Sequence, residues 1–170
     1  RPCHFFWASR RLLFPKGACF MRFSGKNNVV HGTLQVLEIT SPSGTATSCV
    51  YVLHGILGSA KNWRTFGRRL ASRFPSWRIV LVDLRHHGDS PQLPPPNTLA
   101  ACAADLERLS AARGEMPSVV IGHSFGGKVA LEWAKNASAA GRTTWVLDTN
   151  PGAARTSPDR VSSTQVVEVL

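Results

Sequence analysis

Hydrophobic positions along the middle of the chain follow two alternating patterns. Short, nearly uninterrupted apolar runs, typical of strands buried on both faces of a sheet, occur at 49–53, 77–83, 118–121 and 143–148. Between these runs, apolar residues recur at helical spacing over 62–74, 98–113 and 125–136. A further strand with mixed β-branched and polar residues is predicted over 29–39. Short buried strands that alternate with amphipathic helices predict an α/β fold, a doubly wound and mostly parallel sheet covered on both faces.

Length and composition set the limits of this prediction. With 170 residues and 43% hydrophobic content, the chain can bury one core. No run approaches the ~18 apolar residues that a membrane-spanning helix needs, so no transmembrane segment is expected. The 4 cysteines lie far apart without a C-x-x-C pair, which argues against a metal site or a disulfide framework.

The net charge of +10 is unevenly distributed. Residues 1–28 contain basic residues but no acidic residue, while the remainder is only mildly basic. No basic stripe interleaved with aromatic residues occurs, so nucleic acid is not an expected partner. The acid-free opening, rich in arginine and aromatic residues, is typical of an organelle transit peptide; the alternative is an untranslated stretch upstream of Met21. We predict import into the plastid ahead of the mitochondrion, with the cytoplasm as the alternative location.

The segment "GHSFGGK" (122–128) supports two incompatible interpretations. As G-x-S-x-G, it places Ser124 as a nucleophile on a sharp strand-to-helix turn. As G-x-x-x-x-G-K, it is most of a phosphate-binding loop, but such a loop needs Ser or Thr after its lysine to coordinate Mg²⁺, and Val129 stands there. We therefore expect no nucleotide to bind, and Lys128 to be a surface or packing residue. The structural alternative is that Ser124 is a passive helix N-cap.

Two more polar loops are predicted at the same edge of the sheet. "LHGILGS" (53–59) and "DLRHHGDSP" (83–91) each follow a predicted strand. Ligand sites in open α/β sheets form at the carboxyl ends of the strands. An acyl-transfer site also needs two backbone N–H donors for the developing oxyanion. Phe125, directly after the serine, and Ile56 in the first loop are the natural candidates for this oxyanion hole.

Taken in order, these motifs resemble the α/β-hydrolase superfamily. The resemblance is carried by His54-Gly55, Asp83-x-Arg85-x-x-Gly88-x-Ser90, Gly122-x-Ser124-x-Gly126 and Asp148, each after a predicted strand. "HGILGSAKNWR", "DLRHHGDSP" and "GHSFGGK" are most similar to the small esterase branch of bacterial and organellar members, particularly those of plants. The resemblance implies a monomeric serine hydrolase of small-molecule esters or thioesters, with acyl or lipid-like substrates and neither a metal nor an organic cofactor.

The resemblance also suggests roles for individual side chains. It implies Asp148 as the acid of a catalytic triad, with capping of the following loop "TNPG" as the alternative. His54, Gly55 and His87 are candidate substrate contacts, although both histidines could instead hold their loops in place. Strand alternation predicts that His123 points away from the serine. The family's base follows the last strand, and no histidine comes after His123, so the base is not in the chain.

The absence of a base suggests a C-terminally truncated fragment. Large α/β domains need roughly 200–250 residues. In the family, cap helices are inserted near residue 152 and the final strands follow. Residues 29–170 are therefore predicted to be the N-terminal part of the hydrolase domain, which would be inactive alone. Two other functions stay open for the parent protein: a synthase of the menaquinone-pathway type, which "LHGILGS" also resembles, and a non-catalytic ligand-binding protein of hydrolase fold.

Overall fold

The computed structural model describes residues 33–42 and 44–150. The strands are β1 (Val36–Ile39), β2 (Ser48–Leu53), β3 (Trp77–Val82), β4 (Val119–His123) and β5 (Thr143–Leu147). The helices are α1 (Arg64–Arg73), α2 (Leu99–Arg113) and α3 (Phe125–Trp133), with short 3₁₀ helices at Ala60–Trp63 and Ala137–Ala139. The predicted transit segment, residues 29–32 and the predicted cap lie outside the described residues.

The described strands form one mixed sheet in the order β1-β3-β2-β4-β5. β1 is antiparallel to β3, and the other neighbouring pairs are parallel. β2 is the central strand, since it pairs with β3 on one side and with β4 on the other. The predicted α/β class, with a mostly parallel sheet, is confirmed.

Alternate residues of the central strands contribute to two hydrophobic cores, one on each face of the sheet. On one face, Tyr51 and Leu53 pack with Leu106 of α2 and Trp133 of α3. On the other, residues such as Val52 pack beneath α1 and the 3₁₀ helix before it. All these side chains are almost fully buried, and burying each contributes about 1.5–3 kcal/mol. The uninterrupted apolar runs therefore reflect strands covered on both faces.

The ends of the helices follow local chemistry. Thr98 caps the start of α2, since its Oγ1 accepts the Ala101 N–H at 3.2 Å, and Gly114, with φ 63°, caps its end. α3 ends at Trp133, three residues before the predicted end at Asn136. There the backbone N–H groups bond three residues back instead of four, which tightens the last turn and stops the α-helix.

The parallel strands β2 to β5 bring their carboxyl ends to one edge of the sheet. The loops after β2, β3 and β4 and the residues after β5 therefore meet there, as predicted. Among the described helices, none is both long enough and apolar enough to cross a bilayer.

Candidate active site

The turn between β4 and α3, which we call the elbow, is sharp and strained at Ser124. Ser124 has φ 51° and ψ −114°, a conformation that L residues rarely adopt. A Cβ on Gly122 would collide with the Gly126 carbonyl, and one on Gly126 would lie 2.5 Å from the His54 carbonyl oxygen. Both glycines of G-x-S-x-G are therefore required by close backbone approach. Such strain costs about 1–3 kcal/mol and persists only where the surroundings impose it.

The Ser124 side chain is not used to hold this turn together. Its backbone N–H donates to the Leu147 carbonyl at 2.9 Å, which ties the elbow to β5. Its hydroxyl makes no capping bond to α3 and no hydrogen bond to any other described residue. Ser124 therefore stands at the N-cap position of α3, but its side chain does not cap the helix. A strained turn that presents an unengaged hydroxyl is suited to nucleophilic chemistry.

Two backbone donors stand unused beside the serine. Phe125 is the first residue of α3, where N–H groups have no partner within the helix. Within the described part of the chain, neither the Phe125 N–H nor the Ile56 N–H donates a hydrogen bond. The loop of Ile56 passes close to the serine, since a Cβ on Gly55 would lie 3.3 Å from the Ser124 Cβ. Of the two predicted oxyanion donors, Phe125 therefore directly follows Ser124, and Ile56 lies in the loop that borders it.

His54 is buried and both of its ring nitrogens are bonded to backbone. Nε2 accepts the Leu84 N–H at 3.0 Å, so Nδ1 carries the proton and donates to the Gly55 carbonyl at 2.7 Å. Burial lowers the pKa of His54 below its usual 6.5, which favours this neutral form. His54 also borders the cleft beside the serine, but its polar atoms join the β2 loop to the β3 loop.

His87 makes a second link between the same two loops. Its Nε2 accepts the Leu57 N–H at 3.2 Å, and its Nδ1 lies 2.8 Å from the Arg85 carbonyl, to which it donates. Leu57 has φ 58°, so this bond helps to hold a strained residue directly after Ile56. The His87 ring lies 5.0 Å from that of His54. Both histidines thus support the loop after β2, residues 54–59, which we call the oxyanion loop after the role predicted for Ile56.

The motif Asp83-x-Arg85-x-x-Gly88-x-Ser90 begins with a buried carboxylate that organises two loops. Asp83 accepts the Ala60 N–H at 2.6 Å and the Asp89 N–H at 3.0 Å. A Cβ on Gly88, which has φ 55°, would collide with that carboxylate. Asp83 therefore fixes both the start of the 3₁₀ helix after the oxyanion loop and its own turn.

The other polar residues of this motif are also fully engaged. Ser90 donates to the Asp83 carbonyl at 2.7 Å and accepts the Gln35 N–H at 2.8 Å. Buried Arg85 forms a two-pronged ion pair with Asp105 of α2, at 2.6 and 3.0 Å. That carboxylate raises the pKa of Arg85. The motif is a structural network beside the site.

Asp148 follows β5 and carries an exposed, unengaged carboxylate. Its φ is 47° and its side chain is 93% exposed. Its Oδ2 lies 3.9 Å from the His123 Nε2, and it makes no hydrogen bond to the described part of the loop that follows. Thr149 instead ties this segment to the elbow by donating to the Ser124 carbonyl at 2.8 Å. Asp148 is therefore placed beside the elbow and available to a further partner.

Sequence reasoning left His123 out of the site. Its ring lies on the α1 face of the sheet, 5.5 Å from the Trp63 ring, and borders a cleft of about 510 Å³. Gly55 approaches both His123 and Ser124, so this cleft lies beside the elbow. Two aromatic residues of the α1 segment, Trp63 and Phe66, line this cleft as well. Their helical spacing indicated only a buried face.

The phosphate-loop interpretation of residues 122–128 finds little support. Val129, at the position where a phosphate loop needs a hydroxyl, is fully buried in the core. The part of the chain that the structure describes contains no cluster of three metal-ligating side chains.

Comparison with known proteins agrees with this geometry. A family model described as "alpha/beta hydrolase fold" matches residues 49–149. The chain is 37% identical over 123 residues to the sn-1-specific diacylglycerol lipase ABHD11 of Mus musculus, covering 72% of this chain. It is 30% identical over 109 residues to 2-succinyl-6-hydroxy-2,4-cyclohexadiene-1-carboxylate synthase of Serratia proteamaculans (strain 568), covering 60% of this chain. A solved marine microorganism esterase superimposes with a TM-score of 0.62 at 28% identity, covering 75% of this chain.

These matches cover only part of each relative. The aligned region is 39% of the mouse lipase, 38% of the Serratia synthase and 46% of the marine esterase. The chain thus spans less than half the length of these relatives.

Proposed function

Since the chain belongs to the alpha/beta hydrolase fold family, we propose that it is part of a serine hydrolase of carboxylic esters or thioesters with acyl or lipid-like substrates. One observation carries this proposal. The Ser124 hydroxyl is unengaged on a strained elbow, next to the N–H groups of Phe125 and Ile56, which are also unengaged. The lipase and esterase relatives support the substrate class.

In this mechanism the Ser124 Oγ attacks the carbonyl carbon of the ester. The new C–O bond forms as the hydroxyl proton passes to a general base, and the carbonyl oxygen becomes an oxyanion. The N–H groups of Phe125 and Ile56 stabilise that oxyanion. The intermediate collapses to an acyl-enzyme while the alcohol or thiol leaves with the proton. Water, activated by the same base, then releases the carboxylic acid and regenerates the serine.

The base is proposed to be a histidine outside the described residues. Within them, no histidine hydrogen-bonds the Ser124 hydroxyl. Asp148 is proposed to orient that histidine and to stabilise its protonated form, as in other triads. Its exposed carboxylate beside the elbow supports this role.

A second candidate function is a synthase reaction of the Serratia enzyme's type on the same fold. The 30% identity to that synthase over 109 residues favours it. The two functions separate on substrate: only the hydrolase would turn over simple esters through an acyl-enzyme.

The test is ester hydrolysis by the protein extended to the length of its relatives. With p-nitrophenyl acetate and butyrate, Ser124→Ala should lower kcat on the order of 10⁶-fold, because the nucleophile is lost. Lys128→Ala, on the following helix, is the matched control and should stay within a few-fold of wild type. Equal turnover by Ser124→Ala and wild type would exclude Ser124 as the nucleophile.

A further inference from the structure

The segment between the oxyanion loop and β3 is basic throughout. No acidic residue occurs between Glu38 and Asp83. The exposed side of α1 and of the 3₁₀ helix before it carries Lys61, Arg64, Arg68, Arg69 and Arg73, which we call the basic face. At 3.6 residues per turn, the four arginines spread over about half of the helix circumference. The opposite side, with Gly67 and Ala71, is buried against the sheet.

Within the described residues, three arginines of the basic face have no carboxylate partner. Lys61 pairs with Asp89 at 3.1 Å, but both side chains are more than half exposed, so the pair is weak. Among the described residues, no carboxylate lies within ion-pair distance of Arg64, Arg69 or Arg73. Such a cluster has an electrostatic preference for an extended anionic partner.

The basic face reaches a cleft that lies beside the proposed nucleophile, since Gly55 borders both the cleft and Ser124. Arg69 and Thr65 belong to α1 and also line the cleft beside the serine. Leu57 lies in the oxyanion loop between Ile56 and Gly58, which both line the cleft, and it is 82% exposed. An exposed aliphatic side chain beside several arginines is complementary to a bilayer surface, where headgroups carry the charge and acyl chains lie beneath.

We propose that the basic face docks the protein on an anionic lipid surface, with Leu57 entering the headgroup region and the cleft opening onto the lipid. This inference rests on the proposed function, since it explains how an acyl ester in a membrane would reach Ser124. A single-stranded nucleic acid would need exposed aromatic rings for base stacking. Trp63 and Phe66, the aromatic residues within the 3₁₀ helix and α1, instead pack against the core.

Vesicle binding of the protein at the length of its relatives tests the proposal. The probes are vesicles of phosphatidylcholine alone and vesicles that also contain about 30% phosphatidylglycerol, compared by sedimentation at low ionic strength. The test variant is Arg64→Gln/Arg73→Gln, because neither residue lines the cleft. The matched control is Arg108→Gln/Lys135→Gln, which removes the same net charge from exposed positions on α2 and just after α3.

Wild type should bind the anionic vesicles and should release them as salt screens the charges. Each arginine near an anionic surface contributes about fivefold, so the test variant should partition roughly 25-fold more weakly. The control variant should stay within about twofold. The basic residues within 1–28 are present in every variant, so they cannot produce this difference.

Equal weakening in both double variants would show a net-charge effect and overturn the proposal, as would equal binding to the two vesicle types. Turnover of soluble p-nitrophenyl acetate without vesicles, expected to be unchanged in the test variant, monitors the proposed function separately. Vesicle binding without any ester turnover would therefore reject the hydrolase and leave the docking surface standing. Ester turnover without selective vesicle binding would support the hydrolase and reject the docking surface.

Discussion

Two turns at the same edge of the sheet use their polar residues in opposite ways. In the turn after β3, the Asp83 carboxylate, the Arg85 guanidinium, the His87 ring and the Ser90 hydroxyl are all bonded to neighbouring groups. In the elbow after β4, the Ser124 hydroxyl has no partner among the described residues, and the backbone there is strained. The first turn is built for rigidity, while the second keeps its reactive groups unsatisfied.

The difference shows how a motif of structural residues can support a chemical one. The network around Asp83 and His87 fixes the turn of the oxyanion loop and the start of the 3₁₀ helix that follows it. That loop then passes within contact distance of the elbow at Gly55. Substitution of Asp83 in the first turn should therefore mainly lower stability. Substitutions in the elbow, or of His87, which holds the residue after Ile56, should mainly lower activity.

The largest effect on stability is expected from Asp83→Ala. It would leave the buried Ala60 N–H and the Asp89 N–H without their charged acceptor, so the free energy of unfolding should fall by about 3 kcal/mol. The control is Asp89→Ala in the same turn, which breaks only an exposed ion pair and should cost less than about 1 kcal/mol. Urea unfolding measures both, and equal losses would contradict the assigned role of Asp83.

A smaller effect, on activity, is expected from His87→Leu. Without the Nε2 acceptor, the Leu57 N–H loses its partner and the oxyanion donor Ile56 is held less firmly. Removing one oxyanion donor entirely costs about 10²–10³ in kcat, so we expect kcat to fall about tenfold, with little change in KM. His87→Gln keeps an acceptor and should recover most of the loss. A purely steric role for His87 would make the two variants equally impaired.

The smallest effect concerns the strain at the nucleophile. Because Ser124 has φ 51°, Ser124→Gly should be more stable than Ser124→Ala by about 1 kcal/mol. At Ser72, on the exposed side of α1, the order should reverse, with Ala more stable than Gly by roughly 0.5–1 kcal/mol. Thermal unfolding of the four variants checks this, and the same order at both positions would argue against strain in the elbow.

Most of the fold could be predicted from the sequence because its strongest signals are local. The runs at 49–53 and 77–83 form central strands, and the helix predicted over 98–113 starts and ends where its cap residues stand. The glycine positions around Ser124 likewise predicted a turn that the backbone requires. Each of these features depends on residues that are close in the chain.

Contacts between distant residues could not be predicted in the same way. Nothing in the pattern indicates that His87 bonds Leu57, that Ser90 bonds Gln35, or that His123 borders the cleft, because these depend on how separate loops approach each other. A histidine in a polar loop suggests chemistry and structural support equally. Only the count of its bonded ring nitrogens separates the two roles.

Covalent labelling of Ser124 tests the central claim most directly. The protein extended to the length of its relatives is treated with an alkyl fluorophosphonate, which phosphonylates activated serines, and the modified peptide is identified by mass spectrometry. We expect one adduct, on Ser124, that disappears in Ser124→Ala and after heat denaturation, because the reactivity depends on the folded elbow. Labelling of Ser124→Ala as strong as that of wild type, or a folded wild type that is never labelled, would contradict the account.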